Sequence, residues 1–237
     1  VRLMATLRER CGERLTACEM MSADSLDLVL AHVTDTRSPL AARHAFTVLV
    51  ELSDVGDAQD STLGTLLETA LGNAMETGLV ADAILATSEA QAKAFWKLRE
   101  GISQAQVRAG KAVKHDIALP ISQLATFVEA ADTAVAAASG VGRVINFGHI
   151  GDGNLHYNVL LPADTDGGAL YDATHRLNRV VHDLVAQHDG SISAEHGVGQ
   201  LRRDELKLYK SDVEMELMLR IKRALDPNQI MNAGKLL

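Results

Sequence analysis

The chain has 237 residues, with 23 basic against 31 acidic side chains for a formal charge of −8, ample length for one large domain or two small ones. The acidic balance, with no basic block, argues against a nucleic-acid or anionic-membrane surface, and no window approaches the roughly 18 uninterrupted apolar residues of a membrane span. Apolar content of 47% with 23% charged residues describes a folded chain, and two cysteines, Cys11 and Cys18, make no disulfide framework, so a reducing, cytoplasmic setting is expected.

The start, Val1-Arg2-Leu3-Met4, carries no charged-then-apolar signal and leaves two readings open, processed ends or a piece of a longer chain. The first strand signal is Phe46-Thr47-Val48-Leu49-Val50-Glu51-Leu52, by its β-branched and apolar content. After a loop with Ser53, Asp54, Gly56 and Asp57, a helix is expected over 61–77, stopped by Gly78, then a strand over 81–86. Ser88 followed by Gln91 reads as a capping box for a helix reaching at least Glu100. A strand over 113–119 closes at Pro120, and Ser122 is expected to cap a helix to about residue 138.

Residues 141–149 and 155–161 read as a β-hairpin around Gly151-Asp152-Gly153-Asn154. A helix over 169–187 precedes a short strand over 191–194, and Ser211 with Glu214 marks a further capping box. Asp226-Pro227 reads as an N-cap followed by proline at the first helical position. This order predicts an α+β fold: an antiparallel sheet with split βαβ, ferredoxin-like units covered by helices, plus a C-terminal helical segment. A doubly wound dinucleotide fold is not expected, because neither G-x-G-x-x-G after a strand nor G-x-x-x-x-G-K-[ST] occurs.

The hairpin carries the most chemistry. With 151–154 as a four-residue loop, His149 faces His156 on one side of the sheet, where opposed Cβ atoms lie about 4.5–5.5 Å apart. Two imidazoles held that way can share a metal ion at about 2.0–2.1 Å, and strand alternation puts Asn158 on the face of His156. A second element, Ser193-Ala194-Glu195-His196-Gly197-Val198-Gly199, offers Glu195 as a carboxylate to complete a two-histidine, one-carboxylate set suited to Zn, Mn or Fe. His196 is then left as a base or orienting donor. A lone H-x6-H pair is more often structural, and most of the nine histidines read as surface or loop residues. The glycine loop and the separate Glu-His-Gly segment tip the balance to a metal site. Arg99 and Ser103 share a helix face at i, i+4, and Lys114 precedes Asp116 on the next strand. Together they suit an anionic substrate, against the plainer reading of solvated helix-face charges.

Phe147-Gly148-His149-Ile150-Gly151-Asp152-Gly153-Asn154-Leu155-His156, Glu195-His196-Gly197-Val198-Gly199 and Ala224-Leu225-Asp226-Pro227-Asn228 resemble the signature segments of the FAD-linked oxidase C-terminal domain. That domain occurs in D-2-hydroxyglutarate dehydrogenase, D-lactate dehydrogenase and the glycolate oxidase flavoprotein subunit. Trp96-x-x-Arg99 and Lys114-x-Asp116 resemble the D-2-hydroxyglutarate branch most. The resemblance implies His149, His156 and Glu195 as metal ligands, Arg99, Ser103, Lys114 and Asn158 as substrate-binding residues, and His196 as the catalytic histidine. Ser103 stands where threonine is usual. Asn232-Ala233-Gly234-Lys235 replaces the usual Asn-Pro-Gly-Lys, and Asn232 is the cofactor-facing candidate.

On the same resemblance, residues 1–210 are expected to form the substrate-binding and cap domain and 211–237 the helical segment. An N-terminal FAD-binding lobe of the same polypeptide is expected outside this chain, which alone should be an inactive fragment. The expected activity of the whole is FAD-dependent oxidation of a D-2-hydroxy acid, of D-2-hydroxyglutarate or D-lactate type, to the 2-oxo acid. The electron acceptor is not readable, and the oligomeric state stays open with a homodimer among the options. The rival readings are a stand-alone metal-dependent hydrolase and a non-catalytic binding module stapled by metal.

Overall fold

The computed structural model describes residues 1–55, 62–140, 142–200 and 202–236. Chain order begins with α1 (Arg2–Cys11), β1 (Leu15–Ser22), α2 (Ala23–His32), β2 (Phe46–Leu52), α3 (Leu63–Glu76) and α4 (Glu89–Ala109). It continues with β3 (Ala112–Val113), β4 (Asp116–Ala118), α5 (Leu124–Ser139), β5 (Arg143–His149) and β6 (Asn154–Leu160). Three helices close it: α6 (Gly167–Gln187), α7 (Arg203–Tyr209) and α8 (Asp212–Leu225).

The strands form one sheet in the order β2-β1-β5-β6-β3, with β4 also paired to β6, and every pairing is antiparallel. β4 and β5 therefore run parallel to each other on either side of β6 and are joined by α5, which is a split βαβ unit. A second unit interlocks with it: β6 leads through α6 to Ser191, which bridges antiparallel to Ala118 of β4. The ferredoxin-like expectation thus holds in this half of the sheet, with its last strand reduced to one bridge.

Strand alternation divides the apolar side chains between two layers. Ile117, Leu155, Tyr157 and Val159 face Phe127, Ala131 and Val135 of α5 and Leu177, Val181 and Val185 of α6. On the other side, Met21, Ile145 and Phe147 pack against Leu28 and Val29 of α2 and Leu98, Ile102 and Ala105 of α4. Each fully buried Val, Leu, Ile, Met or Phe side chain among these contributes about 1.5–3 kcal/mol. His156 and Asn158 lie on this α4 side of the sheet, paired with Phe147 and Ile145.

Several elements differ from expectation. β1 and α2 went unread in the sequence because four successive β1 residues, Cys18 to Met21, are buried, so the strand shows no polar alternation. Residues 81–86 form no strand; the Asp82 carboxylate accepts a hydrogen bond from the Ala83 amide and turns the chain locally. The strand over 113–119 is broken into β3 and β4, although its register on β6 is continuous. The break falls where the Asn158 side chain, not a strand carbonyl, accepts from the His115 amide.

Ser122 lies inside a short 3₁₀ turn, Ile121–Gln123, and Gln123 rather than Ser122 precedes α5. Gln91 does accept back toward the start of α4, but from Thr87 rather than from the Ser88 amide, so that box is not closed. The box at Ser211 and Glu214 is complete. The strand over 191–194 ends after its first residue because Ser191 Oγ donates to the Ser193 carbonyl and curls the segment. Asp226 starts no helix. It ends α8, and its carboxylate accepts from the amides of Ile230 and Met231. Gly56, Asp57, Ser61 and Val141, which the sequence placed in a loop, a helix start and a strand start, lie outside the described residues.

Candidate active site

The hairpin turn occupies residues 150–153, and its register pairs Phe147, not His149, with His156. The slip from the expected register is two residues. A slip of one would have turned one histidine to the opposite face, whereas a slip of two preserves the face. The imidazoles accordingly stand on the same side with ring centroids 6.0 Å apart. Gly153, at φ 84, makes the turn possible by letting the chain pass against Leu119, whose carbonyl oxygen would lie 2.0 Å from any Cβ there.

Glu195 reaches the same point from the segment after α6. Its Oε1 is 3.2 Å from His149 Nε2 and its Oε2 is 3.7 Å from His156 Nε2. One ligand atom from each of the three residues lies within 4.8 Å of the others. The segment is fixed by Asp116, which sits opposite His156 in the sheet. Asp116 Oδ2 accepts from the backbone amides of Glu195 at 3.0 Å and His196 at 2.9 Å, while Oδ1 accepts from Asn154 Nδ2 at 2.9 Å. Burial opposes ionisation of Asp116. The His196 amide, the Asn154 side chain, the Glu195 amide and the neighbouring His156 outweigh it and hold its carboxyl below the ordinary range. Burial also lowers the His156 pKa, partly offset by Asp116, which favours the neutral imidazole a metal requires.

Behind His149 stands Glu19 of β1, buried, with Oε1 2.7 Å from His149 Nδ1. Its Oε2 accepts from Arg99 Nε and Nη2, each at 2.9 Å, and the Arg99 guanidinium lies 4.8 Å from the centre of the Phe147 ring.

Both nitrogens of His149 thus face carboxylates. A neutral imidazole donates from one nitrogen only. With Nδ1–H on Glu19, the Nε2 lone pair faces the Glu195 oxygen unless a proton or a cation stands between them. Glu19, Asp116 and Glu195 set three carboxylates against the one guanidinium of Arg99 around these histidines, an acidic set that suits a divalent ion. The residues fit a metal, and two histidines with one carboxylate suit Zn, Mn or Fe.

The remaining candidates are placed unevenly. His196 is three-quarters exposed at the rim, its Nδ1 3.6 Å from Asp116 Oδ2. Asn158 lies on the His156 face, with Nδ2 donating to Gln106 Oε1 of α4 at 2.9 Å. Ser103 and Lys114 are exposed, and among the described residues neither side chain is hydrogen-bonded or ion-paired to the cluster; the Lys114 carbonyl accepts from Arg202. Asn232 is exposed in the turn after α8, with φ 49, and is not bonded to the cluster. Sequence reading missed Glu19 and the hub role of Asp116. The motif Lys114-x-Asp116 was the one local signal for the second; Glu19 had none.

A family model described as FAD linked oxidases, C-terminal domain, matches residues 1–236. The chain belongs to this family. It is 35% identical over 237 residues to the probable mitochondrial D-2-hydroxyglutarate dehydrogenase of Oryza sativa subsp. indica, covering 100% of this chain and 40% of that protein. It is 37% identical over 227 residues to a D-2-hydroxyglutarate dehydrogenase of Xanthomonas citri pv. viticola, covering 96% of this chain and 47% of the relative. The chain therefore spans less than half the length of these curated relatives. Among solved structures, 4-ethylphenol oxidase from Gulosibacter chungangensis aligns with a TM-score of 0.63 at 16% identity over 99% of this chain and 50% of its own. p-Cresol methylhydroxylase aligns with a TM-score of 0.64 at 13% identity over 99% and 49%. These two matches are a likeness of fold.

Proposed function

We propose that the protein carrying this chain is an FAD-dependent dehydrogenase that oxidises a D-2-hydroxy acid, of D-2-hydroxyglutarate type, to the 2-oxo acid. The observation that carries the reading is the convergence of His149, His156 and Glu195 beside His196 in a chain whose named relatives are D-2-hydroxyglutarate dehydrogenases. D-lactate is the second substrate to test, because it lacks the distal carboxylate that the cationic residues would receive.

His149 and His156 through Nε2, and Glu195 through its carboxylate, would hold the metal. When bound, the divalent ion supplies Lewis-acid charge that lowers the hydroxyl pKa, and the flavin supplies a two-electron acceptor. His196 takes the hydroxyl proton at Nε2, the nitrogen turned away from Asp116. Lys114, the second edge of Arg99, Ser103 and the remaining amide hydrogen of Asn158 bind the carboxylates of the substrate. The exposure of His196 leaves the site open on one side, so FAD fits as a group brought by the part of the polypeptide outside this chain.

Residues 1–210 act as the substrate domain, and 211–237 pack on the flavin-bearing part. Val213, Leu217, Ile221 and Leu225 form an exposed apolar stripe on α8 that supports such a contact. Asn232, just beyond, faces the flavin side. Free, buried Cys11 and Cys18 support a reducing, cytoplasmic location, and among the described residues no helix is long and apolar enough to cross a membrane.

The test uses the full-length protein with its flavin. Stoichiometric divalent metal is expected in the wild type and absent in His156→Ala, with flavin bleaching by D-2-hydroxyglutarate and weaker bleaching by D-lactate. Metal retained by His156→Ala, or ester or phosphate hydrolysis by flavin-free protein, would overturn the proposal.

A further inference from the structure

We propose that Glu19 is a positioning residue that holds His149 in the one tautomer able to ligate a metal through Nε2, and that Arg99 in turn holds Glu19. The inference rests on the metal reading above and assigns a role to a residue outside the ligand set. Glu19 and His149 are directly paired across β1 and β5, so their side chains share a face. The Glu19 carboxylate is 2.7 Å from Nδ1, close enough to keep the ring proton there and leave Nε2 unprotonated toward Glu195.

Glu19 is itself held at both ends. One oxygen takes the imidazole, and the other takes two nitrogens of Arg99 at 2.9 Å. Arg99 packs over Phe147, and the Phe147 ring lies 4.7 Å from that of His156. The two histidines are thereby set relative to each other by a continuous contact chain through Glu19, Arg99 and Phe147. Among the described residues His156 has no comparable clamp of its own, since Asp116 Oδ1 stands 3.6 Å from its Nδ1, beyond hydrogen-bond length. A buried ion pair is a weak source of stability, which apolar residues of the same volume usually match. Its placement against the non-ligating nitrogen of a ligand histidine accounts for a buried carboxylate here better than stability does. One edge of Arg99 is consumed by this task, so a substrate carboxylate meets only the other edge.

The experiment compares wild type, Glu19→Ala, Glu19→Gln and His156→Ala in the full-length protein, without turnover. The ¹⁵N shifts of the His149 ring report the tautomer, and Zn²⁺ competition against a chelator reports affinity. The wild type should show Nδ1–H. Glu19→Ala should show mixed tautomers and bind Zn²⁺ about 10–100-fold more weakly. Glu19→Gln keeps one acceptor oxygen, which the two nitrogens of Arg99 take, and leaves its NH2 against Nδ1; it should move the ring proton to Nε2 and weaken Zn²⁺ at least as much as Glu19→Ala. If Glu19→Ala does not fold, Glu19→Met fills the same space without an acceptor. An unchanged tautomer and unchanged Zn²⁺ affinity in Glu19→Ala, with Zn²⁺ lost from His156→Ala, overturns the role of Glu19 alone. Wild-type Zn²⁺ affinity in His156→Ala overturns the metal reading and this inference with it.

Discussion

Replacing Asp116 by alanine should release the segment that carries Glu195 and His196. Asp116 accepts three hydrogen bonds, two of them from the backbone amides of those residues. A hydrogen bond to a charged group contributes about 1.5–3 kcal/mol. The segment is half-exposed, so water replaces much of what is lost and the lower figure applies to each amide. Two such bonds come to about 3 kcal/mol, which makes local opening about 100-fold more frequent. Hydrogen exchange at the two amides measures this directly, and Zn²⁺ affinity should fall with it because Glu195 is no longer held.

The anchor also has a pH signature. Asp116 has a depressed pKa in the folded state, so its contribution is present above the ordinary carboxylate value of about 3.9 and is lost only as pH falls through the lower folded value. Amide protection should persist to about pH 4 and disappear in stronger acid. Unchanged exchange in Asp116→Ala would refute the reasoning and leave the segment held by the Ala194 amide on the Asp116 backbone carbonyl, which alanine keeps, and by the bond from Arg202 to the Ile192 carbonyl.

Three further outcomes are expected. His115 is fully buried, and burial, reinforced by His182, pushes its pKa down to about 3. The unfolded chain binds a proton there below about pH 6.5 while the folded one does not, so stability should fall by up to about 2 kcal/mol between pH 7 and 5; urea midpoints should show this slope, and His115→Gln should flatten it. Gly153→Ala places a Cβ 2.0 Å from the Leu119 carbonyl oxygen at φ 84 and should cost about 2–4 kcal/mol in urea denaturation, where a neutral result would refute the close approach. Phe127→Ala, on the α5 side of the sheet with 0% exposure, should cost about 3–5 kcal/mol while leaving Zn²⁺ affinity unchanged. A parallel loss of metal would mean that the two faces are not independent.

The chemistry was legible wherever it is local. His149, His156 and Asn158 share a face because side chains alternate along a strand, and an error of two residues in the hairpin register does not disturb that parity. Glu195 and His196 were marked by their own short glycine-flanked segment. The helix caps at Ser88, Ser211 and the end of α3 at Gly78 follow from turn chemistry that acts within four residues.

The tertiary structure decided what depends on distant segments. Glu19 lies 130 residues from the histidine it orients, in a strand whose burial on both sides removes the periodicity that would announce it. Asp116 becomes the anchor of Glu195 and His196 because β4 pairs with β6 and brings it beneath a segment 79 residues away. Residues 81–86 and 191–194 had strand-like composition, yet a strand is completed only by a partner ladder. Neither the presence of that partner nor its register is written in the residues of the segment itself, whereas alternation and capping are.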